Sequence, residues 1–140
     1  MKFIRQVLVG LLMLPAVSMA EIVVIVHPSV TFNVLSQDQV QRIFLNKTKK
    51  FPNGESAVPI NQTTDSPLFD KFNEEICHKD PGQFRSYWSQ RIFTGKGTPP
   101  KDGGDNADII KLVSSNPNII GYVESSAVVE GVVKVVFRAR

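Results

Sequence analysis

Three hydroxyl side chains, Thr63, Thr64 and Ser66, lie in the stretch VPINQTTDSPLFDKF (residues 58–72), between a short apolar run and an amphipathic helix. A helix start carries unpaired backbone N–H groups and the positive end of the helix dipole. Hydroxyl donors beside it, with the Gln62 amide just before them, are the chemistry of small-anion capture. Plain capping competes as an explanation, because Ser66 is a preferred N-cap and Asp65 and Asp70 are carboxylates that the dipole favours.

Two further polar turns follow apolar runs, His27-Pro28-Ser29 and Glu124-Ser125-Ser126. Ligands of open α/β sheets collect beyond the carboxyl ends of the strands. Ser29 and Ser125 are therefore expected as supporting ligand contacts on one rim with the Gln62–Ser66 turn.

Catalysis has little to build on. A nucleophilic serine needs a base, and the two histidines are His27 and His78. The sequence holds no Gly-x-Ser-x-Gly elbow, paired metal-ligand motif or glycine-rich nucleotide loop. Cys77 and His78 are adjacent, so on a helix they point apart, and no third ligand is near. Cys77 falls at helical spacing from Phe69, Phe72 and Ile76 and reads as a small buried hydrophobe. It is the one cysteine, which excludes an intrachain disulfide. The expectation is a binding protein, with no enzyme activity, metal or cofactor.

The elements that must position these groups alternate strand and helix. Residues 21–27 (EIVVIVH) form a β-branched run that reads as a buried strand closed by Pro28. Ser36 and Gln39 match a capping box, opening a helix through Val40, Ile43 and Phe44 that Asn46 ends in a left-handed cap. Phe51-Pro52-Asn53-Gly54 is a turn signal, and residues 57–60 are a short strand. Ser66-Pro67 starts the second helix, with Leu68, Phe69, Phe72 and Ile76 on its buried face. Asp80-Pro81 starts a third, carrying Phe84, Trp88 and Ile92.

QRIFLNK (residues 41–47) is echoed by QRIFTGK (residues 90–96), which predicts two helices ending alike, at Asn46 and Gly95. Residues 96–105, rich in Gly and Pro, read as a mobile surface loop. Asn106 is the expected cap of a fourth helix carrying Ile109, Ile110 and Val113. Strands follow at residues 119–123 and 132–137. The alternation predicts an α/β fold with a mainly parallel sheet, flanking helices and right-handed first crossovers.

Residues 1–20 have the pattern of a signal peptide: Lys2 and Arg5, an apolar core over residues 7–14, and small residues Ser18 and Ala20. The apolar core falls well short of the roughly 20 residues that a membrane span needs. Cleavage after Ala20 and a periplasmic location are expected, leaving residues 21–140 as a single domain without a membrane span. The whole chain carries 16 Lys and Arg against 13 acidic residues. Taking Lys2 and Arg5 away leaves 14 against 13, or about +1. So balanced a chain does not suit nucleic acid, and Lys47, Lys49 and Lys50 read as a solvated loop.

Residues 36–47, the Pro-Asn-Gly turn, residues 58–72, Tyr87-Trp88, residues 93–96 and IIGYVE (residues 119–124) occur in an order that resembles phosphate-type substrate-binding proteins of ABC transporters. The nearest likeness is to the short, stand-alone members of that periplasmic-binding-protein-like group. The resemblance implies one lobe of a type II periplasmic-binding-protein-like fold. It also implies phosphate or a similar small anion as ligand and a transporter as partner. The family's phosphate loop has an arginine and a Ser-Gly-Thr run at the helix start. Here the serine matches Ser66, Pro67 and Leu68 replace the other two, and Gln62 or Asn61 stands near the arginine position. One lobe forms half a clamp, so a homo-oligomer or a second subunit would complete the wall. The rival expectation is an envelope interaction module, a lobe that has lost its ligand and docks a transporter or other envelope protein.

Overall fold

The computed structural model describes Gly10 and residues 21–139. The expected leader, apart from Gly10, and its cleavage point at Ala20 lie outside the described residues. Among the described residues no helix is long and apolar enough to cross a membrane.

Among the described residues five strands form one sheet: β1 (Ile22–Val26), β2 (Val58–Asn61), β3 (Lys101–Asp102), β4 (Ile119–Glu124) and β5 (Lys134–Arg138). Their order across the sheet is β3-β2-β4-β1-β5. β2 lies parallel to both β3 and β4, whereas β1 is antiparallel to β4 and β5. Four strands thus share one direction, as a mainly parallel sheet requires, and β1 runs against them from an interior position. The link from β1 to β2 is therefore not the parallel right-handed crossover that the alternation predicts.

Among the described residues four α-helices flank the sheet: α1 (Gln37–Phe44), α2 (Pro67–Glu75), α3 (Pro81–Phe93) and α4 (Asn106–Ser115). Every residue of β1 is buried, so its side chains serve two cores in turn. Ile22, Val24 and Val26 join a large cluster with Phe44 of α1, Phe72 of α2 and Trp88 of α3. Val23 and Ile25 join a smaller aliphatic cluster with Ile109 and Val113 of α4. The result is a three-layer sandwich, with α1, α2 and α3 on one face and α4 on the other.

Local signals explain most boundaries. Ser36 and Gln39 form the capping box of α1. Asn46 takes φ 56° and Gly95 φ 71°, closing α1 and α3 alike. At both ends the next residue bonds back five positions, Lys47 N–H to Arg42 O and Lys96 N–H to Arg91 O, each at 2.8 Å. The two ends also touch: Arg91 Nη2 donates to Asn46 O at 2.9 Å and Tyr87 Oη to Leu45 O at 2.5 Å.

Three expectations are corrected. Residues 96–105 contain an edge strand, β3, which pairs Lys101 with Ile60 and Asp102 with Asn61 and so is tied to the sheet. The cap of α4 is Asp105, boxed with Asp108, and not Asn106. Trp88 is buried on α3, but Ile92 is 53% exposed, because the helix runs past the edge of the core.

Candidate functional site

The carboxyl ends of β2 and β4 lie side by side, since the strands are parallel with Val58 opposite Ile119 and Pro59 opposite Ile120. A buried polar ladder joins the loops that leave them. Tyr122 Oη donates to Asn61 Oδ1 at 3.1 Å and accepts the Gln62 N–H at 3.3 Å. Gln62 Nε2 donates to Tyr122 O at 3.0 Å and to Asn106 Oδ1 at 2.8 Å. Asn106 Oδ1 also accepts the Glu124 N–H at 3.3 Å. This is why Asp105 caps α4: the Asn106 side chain is committed to the rim. Burial of the Tyr122 phenol pushes its pKa well above the ordinary tyrosine value, so it stays a neutral donor.

The ladder fixes the base of the Thr63–Ser66 loop. The Gly103 N–H donates to Asn61 O at 2.7 Å, and the Thr63 N–H to Gly104 O at 2.9 Å. Gly103 lets the loop pack closely, since a Cβ there would meet Ile60 Cδ1 at 3.1 Å and Ile109 Cδ1 closer still, so both side chains would have to shift. Ser66 then caps α2, its Oγ accepting the Leu68 N–H at 3.2 Å. The Phe69 N–H bonds to Ser66 O at 3.0 Å. Pro67 has no N–H. The start of α2 is thus largely satisfied by its own cap, and an anion there must displace Ser66 Oγ from Leu68.

The expected site residues are only partly brought together. Thr63, Thr64 and Ser66 share one loop, with Thr64 exposed and the other two half-buried. Gln62, 1% exposed, acts as a structural clamp inside the rim, its Nε2 held between Tyr122 O and Asn106 Oδ1. Ser125 begins a short 3-10 turn, Ser125–Ala127, after β4, on the same edge of the sheet. Its N–H is held by Glu21 O at 2.8 Å. Ser29 lies at the opposite edge, because β1 runs the other way and its last residue, Val26, pairs with Ile120 near the start of β4. Ser29 is therefore no partner of Ser125. It bonds His27 instead, Oγ to Nδ1 at 2.7 Å, in a local turn.

Sequence reasoning missed Tyr122, Asn106 and Asn61 as the rim's polar frame. A tyrosine inside the apolar run IIGYVE was the available signal, since a buried phenol needs a partner. Among the described residues no cluster of three or more His, Cys, Asp or Glu side chains could hold a metal. Cys77 is buried, and desolvation pushes its thiol pKa up to about 12.

Comparison with solved structures places this architecture. The chain has the fold of phosphate-type substrate-binding proteins. An ABC-type phosphate transport receptor from Vibrio cholerae matches with a TM-score of 0.59 at 13% identity, over 84% of this chain and 46% of that one. PstS from Borrelia burgdorferi matches at 0.63 and 12%, over 84% and 47%. A Clostridium perfringens protein of the same group, solved with bound phosphate, matches at 0.66 and 21%, over 84% and 45%. The chain thus spans about half the length of the solved structures it matches. No family model and no curated protein matches the sequence.

Proposed function

We propose that this chain is an exported solute-binding domain that takes phosphate or a similar small anion at the start of α2. Thr63, Thr64 and Ser66 are its first contacts, and Ser125 supports them from the end of β4. The leader is removed after Ala20, residues 21–140 form one periplasmic domain, and a second copy or another subunit supplies the facing wall. Delivery to an ABC-type phosphate transporter is the accompanying role.

The observation that carries this reading is the fold shared with phosphate-binding structures, combined with a hydroxyl loop at the carboxyl end of β2. Affinity is expected to be modest. The loop has no arginine, Pro67 removes one donor, and Ser66 Oγ already holds the Leu68 N–H. A missing charge-assisted hydrogen bond weakens binding by roughly ten- to a hundredfold.

The rival reading, in which the lobe docks an envelope protein and binds no anion, starts from the occupied cap. Calorimetric titration with inorganic phosphate separates the two. Heat that disappears in Thr63→Ala/Thr64→Ala supports anion capture. A flat titration at millimolar phosphate, with no thermal shift, overturns it and leaves the docking module.

A further inference from the structure

A second concavity lies behind the α2 loop, between α2 and the start of α3. It is a cavity of about 260 Å³, open to solvent on one side. α2 contributes Phe69 and Asp70 to its lining, the turn before α3 contributes Lys79, α3 contributes Phe84 and Arg85, and Thr64 of the α2 loop completes it. Phe69 and Phe84 meet edge to face with centroids 5.3 Å apart, so the cavity has an aromatic wall.

The charges are arranged by wall. The carboxylate is on α2 and both cations are on the α3 side. Among the described residues the ion pairs are Arg42 with Asp38 and Arg138 with Glu21, so Asp70, Lys79 and Arg85 are not paired with one another. Lys79 Nζ stands 5.1 Å over the Tyr87 ring, which is outside the lining, so among the described residues Arg85 is the cavity's cation without a ring partner and Lys79 is the second, shared one. An inorganic anion could use the α3 wall only. It would meet Asp70 as a repulsive neighbour and leave the rings without a partner. A zwitterion with an apolar side chain uses every wall: its carboxylate faces Lys79 and Arg85, its ammonium faces Asp70, and its side chain packs on the rings.

We propose that this cavity binds a free α-amino acid with an aromatic or large apolar side chain. The inference is independent of anion capture at the α2 start, although Thr64 borders both places.

The test uses L-phenylalanine and three truncated probes: phenylacetate, which lacks the ammonium; phenethylamine, which lacks the carboxylate; and glycine, which lacks the ring. Binding is followed by NMR titration. Phenylalanine is expected to bind at least about tenfold more tightly than each truncated probe. Arg85→Gln should weaken phenylalanine and phenylacetate about tenfold and leave phenethylamine unchanged, whereas Asp70→Asn should weaken phenylalanine and phenethylamine and leave phenylacetate unchanged. Both side chains are exposed, so neither substitution threatens folding. Equal binding of phenylacetate and phenylalanine overturns the proposal. So does indifference to both substitutions, or the absence of shifts at millimolar phenylalanine. A phosphate titration run beside these separates the two readings, since phosphate binding without phenylalanine binding sinks this inference alone.

Discussion

The two faces of the sheet are built differently. The α1–α3 face packs rings: Phe72 stacks on Tyr122 with centroids 3.7 Å apart, and Phe44 meets both edge-on at 4.7 and 5.7 Å. The α4 face packs branched aliphatics against a single helix. It brings that helix so close that a Cβ on Gly121 would meet Ile109 Cγ2 at 2.7 Å. Ring packing tolerates a polar tip when the tip has partners, and Tyr122 uses this to carry its hydroxyl to the rim. The aromatic face is thus both the larger core and the support of the loop, whereas the α4 face works by close approach.

The strongest way to break this contrast is Phe72→Ala, which removes the ring between Phe44 and Tyr122. It should cost about 3–5 kcal/mol, against about 2 kcal/mol for Val113→Ala on the α4 face, read from chemical denaturation midpoints. Equal losses would mean that the two faces share the load evenly. Tyr122→Phe leaves the stacking intact but strips partners from Asn61 Oδ1 and the Gln62 N–H, and should cost about 1–3 kcal/mol. The same substitution should loosen the Thr63–Ser66 loop, visible as faster amide exchange at Thr63.

A pH series sharpens the comparison further, because Cys77 belongs to the aromatic face. Its folded pKa, about 12, lies above its ordinary 9.0. Between those values the unfolded thiol loses its proton while the folded one keeps it. Stability contributed by Cys77 is therefore full below about pH 9 and falls above it by about 1 kcal/mol per pH unit. Tyr122 adds to the fall above its own ordinary value of 10.0. Cys77→Ala should flatten the slope just above pH 9, as followed by thermal melts. The smallest effect expected is from Ser66→Ala, which removes the α2 cap for about 1 kcal/mol. It also removes one of the three hydroxyls proposed to meet the anion, so phosphate binding should weaken by roughly two- to tenfold in calorimetry.

Much of the fold was legible locally. Ser36 with Gln39, Ser66 with Pro67, Asp80 with Pro81 and the left-handed Asn46 and Gly95 each mark an end through contacts within a few residues. What was not legible depends on distant partners. The direction of β1 is set by pairing with β4 and β5, and reversing it moves Ser29 to the far edge. Asn106 and Asp105 are equally good caps by type. Asp105 takes the role because Asn106 serves Gln62, 44 residues away, and Glu124, 18 away. β3 has no apolar pattern and exists only because β2 offers it an edge. In the candidate site the hydroxyl loop was readable, but the Tyr122 and Asn106 frame that holds it was not.

The reversed interior strand has a consequence for how the molecule is made. β1 is the first strand of the described residues, yet both of its neighbours, β4 and β5, are the last two. A chain growing from its amino end therefore carries IVVIV, five apolar residues with no ladder to join, until nearly the whole sequence has emerged. Loss of the final strand should leave β1 paired with β4 alone, an apolar edge open to self-association, even though the hydroxyl loop would be untouched.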